Sequence, residues 1–303
     1  MNQKIEKEDN QATITGLVAK TEQEGSRFFK AALQQDDVLS SITQDVRSEQ
    51  STSQEADCVK IEERLRENHM LVQGASPGPI FADEYRRIKR PLLSNAFGKA
   101  ASLLEKGNLI LVTSSIPGEG KTYTAVNLAL SIAHEQDRTV LLVDCDVTRY
   151  GTSRMLGIDG RLGFADVVES SDLSVGDAII RTDIPGLSVI SSGKKCEFVA
   201  ELFASQRMSD LLTEIGERYD DRVVIFDGPP LLPTPQAQIL TSLVGQVVFV
   251  VEAGKTPQSV VEEALDMIPK EQATGLVMNK TEGASGRSGY YYGYYAEDEM
   301  DSE

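Results

Sequence analysis

The chain has 303 residues, a net charge of −17, 40% apolar residues and 25% charged residues. Such a composition supports a soluble globular core, and the length suits one sizeable α/β domain with appendages or two small domains. The negative charge excludes a general nucleic-acid binder, which needs a cationic surface to displace counterions, but not a nucleotide site with local positive potential.

Three cysteines, Cys58, Cys145 and Cys196, show no CxxC spacing, so neither a zinc site nor a disulfide framework is expected, and a reducing cytoplasm fits best. The polar start MNQKIEKEDN is not read as a signal peptide. No apolar run approaches the roughly 18 residues a membrane span requires, so any membrane link is expected through a partner.

In chain order, residues 1–78 read as a polar regulatory or docking segment, or a plain extension, with short helical patches such as 26–33 and 59–71 and no strand. Gly74 to Ile80 reads as a linker. A helix is expected from about Asp83, interrupted or kinked at Pro91. From Asn108 the pattern becomes α/β. Strands are expected at 109–113, 139–143, 187–190, 223–226, 247–251 and 275–278, with helices such as 122–134 and 199–215 between them. Runs such as LILV, VLLV and VVIF are apolar on both faces, as in buried parallel strands. The expected fold is a mostly parallel sheet with helices on both faces, and the loop PGEGKT that follows the first of these strands makes it a P-loop NTPase. Residues 79–284 form this domain, and residues 285–303 a mobile tail, rich in tyrosine and acidic at its end.

The strongest motif is Ser115-Ile116-Pro117-Gly118-Glu119-Gly120-Lys121-Thr122, lying between an apolar strand and a helix that begins with Tyr123. This is the context of a phosphate loop. Its glycines let backbone N–H groups face an anion at a helix N-terminus. Lys121 can reach the β- and γ-phosphates, and the Thr122 hydroxyl can ligate Mg²⁺. Ser115 stands where the general pattern has glycine.

Two further strands end in carboxylates, Leu141-Leu142-Val143-Asp144-Cys145-Asp146 and Val223-Val224-Ile225-Phe226-Asp227-Gly228-Pro229-Pro230. Ligands of open α/β sheets bind beyond the carboxyl ends of the strands. One of Asp144 and Asp146 can hold Mg²⁺ or its water while the other accepts a proton. Asp227 is the natural metal carboxylate after a phosphate loop. Asn279 either pairs with an adenine edge or caps a strand end. The expected phosphate and nucleotide contacts are therefore Pro117 to Tyr123 together with Asn279, and the expected metal ligands are Thr122, Asp144 and Asp227.

PGEGKT, LLVDCD and VIFDGPP, followed by the cluster Tyr290, Tyr291, Tyr292, Tyr294 and Tyr295, resemble the signatures of the bacterial tyrosine kinases of exopolysaccharide and capsule production. The resemblance runs from about Pro79 to the end. It includes Glu84, Arg87 and Arg90, which match an ExxRxxR element used in ring assembly. The stretches LVQGASPGPI and VVEAGKTPQ look most like the exosortase-associated autokinase subgroup. The resemblance implies ATP and Mg²⁺ as cofactors, a membrane polysaccharide co-polymerase as partner, a cognate tyrosine phosphatase, and a cytoplasmic place at the inner membrane face. Two departures stand out. Thr148 occupies a position where the family often has arginine, with Arg149 next, and Cys145 lies between the aspartates.

Five of the nine tyrosines fall within residues 290–295, next to an end that carries five acids in its last seven residues. A glycine-spaced tail of this kind suits a phosphoacceptor better than a core. A tail tyrosine from a neighbouring subunit is expected to attack the γ-phosphate while Asp144 or Asp146 takes its proton. Each added phosphate brings about −1.5 to −2 charge, so modified tails repel and are expected to loosen the ring. Two other readings share this fold or its motifs: a partition or division-site ATPase, which would carry a lysine where Ile116 stands, and a non-catalytic nucleotide-binding scaffold. Phosphotyrosine on the purified protein separates both from a kinase.

Overall fold

The computed structural model describes residues 58–72, 79–99 and 101–281. Seven strands form one sheet in the order β3-β4-β2-β5-β1-β6-β7. They are β1 (Leu109–Ser114), β2 (Thr139–Asp144), β3 (Ile180–Arg181), β4 (Leu187–Ile190), β5 (Arg222–Asp227), β6 (Gln246–Glu252) and β7 (Ala273–Asn279). All neighbouring pairs are parallel except β3 with β4, which is antiparallel. The six strands expected from apolar runs all form, and the two expected to stop just before an aspartate run on to include it, β2 to Asp144 and β5 to Asp227. The two-residue β3 carries too short a run to be read from sequence.

The central strands are buried on both faces because a helical layer covers each. One layer packs Phe164, Phe203 and Phe226 together, with ring centroids 6.1 Å apart in both the Phe164–Phe203 and Phe164–Phe226 pairs. Its helices include α5 (Phe164–Glu169), α7 (Val199–Phe203) and α8 (Gln206–Glu217). The single helix expected over 199–215 is two, because the Ser205 hydroxyl accepts a hydrogen bond from the Met208 N–H at 3.2 Å and so starts a new helix.

The other layer centres on α3 (Lys121–Ala133), whose Val126, Leu128, Leu130 and Ile132 are buried. Two elements that precede the sheet pack on this side. The first is the segment from Val59 to Val72, containing α1 (Glu62–Glu67); Ile61, Leu65 and Met70 are fully buried. The Leu71 N–H donates to Asn127 Oδ1 at 2.8 Å, and Val59 bridges to Thr182. The core therefore reaches back beyond the expected boundary at residue 78, and the compact unit starts at Val59. Leu65→Ala is expected to cost about 2–4 kcal/mol of unfolding free energy, measured by denaturant titration; a loss below about 0.5 kcal/mol would detach this segment from the core.

The second is α2 (Pro79–Phe97), which runs through Pro91 without interruption and begins earlier than expected, inside the sequence read as a linker. Pro91 cannot donate to the carbonyl four residues back. The half of the helix beyond it is held from outside instead: buried Gln246 donates to Leu92 O at 3.0 Å and accepts from Asn95 Nδ2 at 2.9 Å. Lys89, also buried, pairs with Glu135 at 2.6 Å and donates to Ser131 O at 2.6 Å.

Candidate active site

The parallel register sets Asp144 of β2 directly beside Asp227 of β5, and Val112 of β1 beside Asp227 on the other side. The loop after β1 thus leaves the sheet next to both carboxylates. The turn after Asp227 braces that loop from below. Gly228 N donates to Val112 O at 2.9 Å, Leu231 N to Ser114 O at 2.8 Å, and Thr113 Oγ1 to Pro229 O at 2.7 Å.

Within the loop, Gly118 and Gly120 adopt left-handed backbone, with φ of 96° and 100°. L side chains seldom enter this region. At Gly120 a Cβ would also collide with Asn279 Nδ2. From Gly120 the chain enters α3, and the loop's N–H groups lie at the positive end of that helix. This is the phosphate loop expected from sequence, in its expected context.

Around it stand three buried carboxylates. Lys121 Nζ lies 3.3 Å from Asp146 Oδ2, both side chains being almost wholly buried. Asp146 Oδ1 accepts the Thr148 and Arg149 N–H groups at 3.3 and 3.1 Å. The Arg149 side chain is exposed. Asp144 is heavily engaged: Oδ1 accepts Asp146 N at 3.0 Å, and Oδ2 accepts the Ser153 N–H at 2.8 Å and its hydroxyl at 2.6 Å. These bonds fix α4 (Gly151–Leu156) against the loop, where a Cβ on Gly151 would come within 2.7 Å of Thr122 Oγ1. Asp227 Oδ2 accepts Thr152 Oγ1 at 2.8 Å, while Oδ1 is buried with no hydrogen-bond partner among the described residues.

Burial, and then the charge of Asp227, pushes Asp144 up to about 7, against the pull of Ser153. Burial likewise raises Asp227 to about 6, although Lys121 and the Thr122 and Thr152 hydroxyls pull it down. Cys145 is fully buried and burial pushes its thiol well up, so it is a neutral packing group.

The partnerless Asp227 oxygen beside the Thr122 hydroxyl offers the hard oxygen donors that Mg²⁺ takes. Among the described residues no group of three or more His, Cys, Asp or Glu side chains is arranged to hold a metal by itself. Magnesium typically uses one or two carboxylates plus phosphate oxygens, so the set fits an ion carried in by a nucleotide.

Some expected residues have other work. The Glu119 carboxylate is taken up by the protein itself, accepting Ile116 N at 2.8 Å, Thr256 Oγ1 at 2.7 Å and Glu252 N at 3.4 Å, which leaves its backbone for a phosphate. Tyr123 donates from its hydroxyl to His69 O at 3.1 Å and packs on Phe81, so only its backbone can serve a phosphate. The Asn279 amide clips the loop, donating to Glu119 O at 2.9 Å and accepting Lys280 N at 2.9 Å, rather than standing free for adenine. Ser153, Thr152, Thr256 and Lys280 were not anticipated. Of these only Thr152 and Ser153 carry a sequence signal, as hydroxyls closely following the DxD pair.

Glu84, Arg87 and Arg90 are all exposed on α2. Arg87 lines two clefts against the edge strand β7, of about 580 and 480 Å³, and Glu84 lines the first of them. Tyr290, Tyr291, Tyr292, Tyr294 and Tyr295 lie outside the described residues, as does the expected segment boundary near 284. No helix among the described residues is long and apolar enough to cross a membrane.

Residues 107–274 match the family model described as AAA domain. The chain is 30% identical over 234 residues to tyrosine-protein kinase YwqD of Bacillus subtilis (strain 168), covering 77% of this chain and 92% of YwqD. It is 30% identical over 182 residues to tyrosine-protein kinase ptk of Acinetobacter johnsonii, covering 59% of this chain but only 24% of ptk. Among solved structures, the BceF tyrosine kinase domain superposes with a TM-score of 0.56 at 26% identity, covering 78% of this chain and 87% of that one. With its phosphate loop and paired aspartate strands in the geometry described, the chain belongs to the bacterial tyrosine kinase family.

Proposed function

We propose that the chain is an ATP-dependent tyrosine autokinase that phosphorylates its own C-terminal cluster, Tyr290, Tyr291, Tyr292, Tyr294 and Tyr295, and thereby regulates exopolysaccharide synthesis or export. The observation that carries this reading is the buried, partnerless Asp227 oxygen beside Thr122, facing a lysine already charge-paired with Asp146. A buried carboxylate oxygen without a donor is costly, and a cation relieves it.

In this reading the triphosphate of ATP lies on the Gly118–Thr122 backbone, and Thr122 and Asp227 hold Mg²⁺, with Asp144 behind them. The ion offsets phosphate charge when bound. Lys121 moves from Asp146 toward the γ-phosphate, which leaves a carboxylate of the Asp144–Asp146 pair to take the phenolic proton. An Asp144 carboxyl raised to near 7 titrates where a general base is effective. The P–O bond to the β-phosphate bridge breaks as the tyrosine oxygen bonds to phosphorus, giving phosphotyrosine and ADP.

The exposed face of Glu84, Arg87 and Arg90 supports a ring contact. Among the described residues, the adjoining strand β7 is the edge of the sheet, with Leu276 and Met278 more than half exposed, a surface that proteins usually cover. Such a ring would bring one subunit's tail to its neighbour's loop. A membrane polysaccharide co-polymerase would hold it at the inner membrane face, and a cognate phosphatase would reset it.

Incubation of the full chain with MgATP, followed by mass spectrometry, is expected to place phosphate on tail tyrosines. A variant with all five changed to Phe should lose it. ATP hydrolysis without phosphotyrosine would overturn the kinase reading in favour of a plain ATPase.

A further inference from the structure

The phosphate loop is held from above as well as below. Lys280, the residue after β7, reaches back with its ammonium 2.7 Å from Gly118 O. The same ammonium pairs with Glu252 Oε2, at the end of β6, at 3.2 Å. Lys280 adopts φ of 56°, a left-handed backbone unusual for a side-chain-bearing residue. Its N–H is taken by Asn279 Oδ1, and Asn279 in turn donates to Glu119 O, so two consecutive loop carbonyls are captured by two consecutive residues. Glu252 completes the loop's surroundings by donating its own N–H to the Glu119 carboxylate.

A phosphate cradle works by turning N–H groups inward, which requires the carbonyls of the same residues to turn outward. Outward carbonyls near a polyanion site need partners, and here they have them. The ammonium at Gly118 O also adds positive charge beside the site. A strained backbone persists where surrounding bonds over-determine it, and such positions cluster at ligand clamps.

We propose that Lys280 is a positioning residue for nucleotide: its ammonium, aimed by Glu252, clamps the Gly118 carbonyl outward so that the loop is shaped for phosphate before nucleotide arrives. This rests on the reading of the loop as a nucleotide site.

Hydrogen exchange across residues 115–122 of the nucleotide-free full chain, together with calorimetric binding of MgADP, tests the clamp. Lys280→Met is expected to speed loop exchange and to weaken MgADP about tenfold, with the melting temperature little changed; Lys280→Arg should retain both properties. Glu252→Gln should move both readouts in the same direction as Lys280→Met. Weakened binding with unchanged exchange would assign Lys280 to the phosphate itself and overturn the clamp. Faster exchange with undiminished affinity would overturn it too, since loop shape would then not matter to nucleotide. A wild type that binds no MgADP would count against the nucleotide site, while the exchange data would still decide whether Lys280 holds the loop.

Discussion

Lys121→Met is expected to lower the proposed tail phosphorylation at least about 100-fold, the order of effect seen when a donor to developing charge is removed. The same substitution also destabilises the protein, and the structure says why. Lys121 and Asp146 are both buried, and their ammonium and carboxylate are 3.3 Å apart. Removing the cation leaves Asp146 Oδ2 with no compensating charge in a dry setting, a loss on the order of 3 kcal/mol. A lost signal from this variant alone would therefore confound chemistry with folding. The double variant Lys121→Met/Asp146→Asn isolates the folding part: stability returns, while phosphotyrosine stays absent with both the cation and one candidate base gone. Thermal melts and anti-phosphotyrosine detection on the two proteins provide the check. Recovery of phosphorylation in the double variant would show that Lys121 serves only to neutralise Asp146.

That pairing shows how much of the site could be read from sequence. Lys121, Thr122, Asp144, Asp146 and Asp227 sit in local motifs, each a strand end or a helix start, and parallel pairing with Asp144 opposite Asp227 follows from the topology. What could not be read is who holds the motifs in place. Glu119 looks like one more loop residue, yet its carboxylate is tied to Glu252 and Thr256, more than 130 positions away. Asn279 was legible as a polar strand end but not as a loop clip, because its partner, Glu119 O, is 160 residues distant. Likewise, the apolar Ile61, Leu65 and Met70 lie in a polar stretch whose average composition hides them. Only the packing shows that they share the core of α3. The break between α7 and α8 was legible in retrospect, since Ser205 is a good N-cap residue inside an otherwise continuous helical pattern.

Asp227→Asn is expected to stabilise the metal-free protein at neutral pH while ending phosphotransfer. Burial raises the carboxyls of Asp227 and Asp144 to about 6 and 7, against an ordinary value of roughly 4. The folded chain therefore holds more protons than the unfolded chain across about pH 4 to 7. By linkage these two groups favour folding most strongly below that window, and their contribution is lost as pH rises through it. At pH 8 the nucleotide-free site keeps two adjacent carboxylates charged and desolvated. An amide at 227 removes one charge and can still accept the Thr152 hydroxyl bond that Asp227 Oδ2 accepts at 2.8 Å. The gain at pH 8 should be on the order of 1–2 kcal/mol, seen as about 3–6 °C in a chain of this size. At pH 5, where Asp227 is mostly protonated in the folded chain but an unfolded Asp is still mostly ionised, the gain should fall to about half of its pH 8 value. Melts in EDTA at both pH values measure this, and a variant less stable than wild type at pH 8 would refute it. Addition of MgADP is expected to reverse the ranking: magnesium favours the ionised carboxylate, so ligand should raise the wild-type melting temperature and leave Asp227→Asn almost where it was. The unpaired oxygen that makes the ligand-free site costly is the one proposed to take magnesium, and a single substitution trades one property against the other.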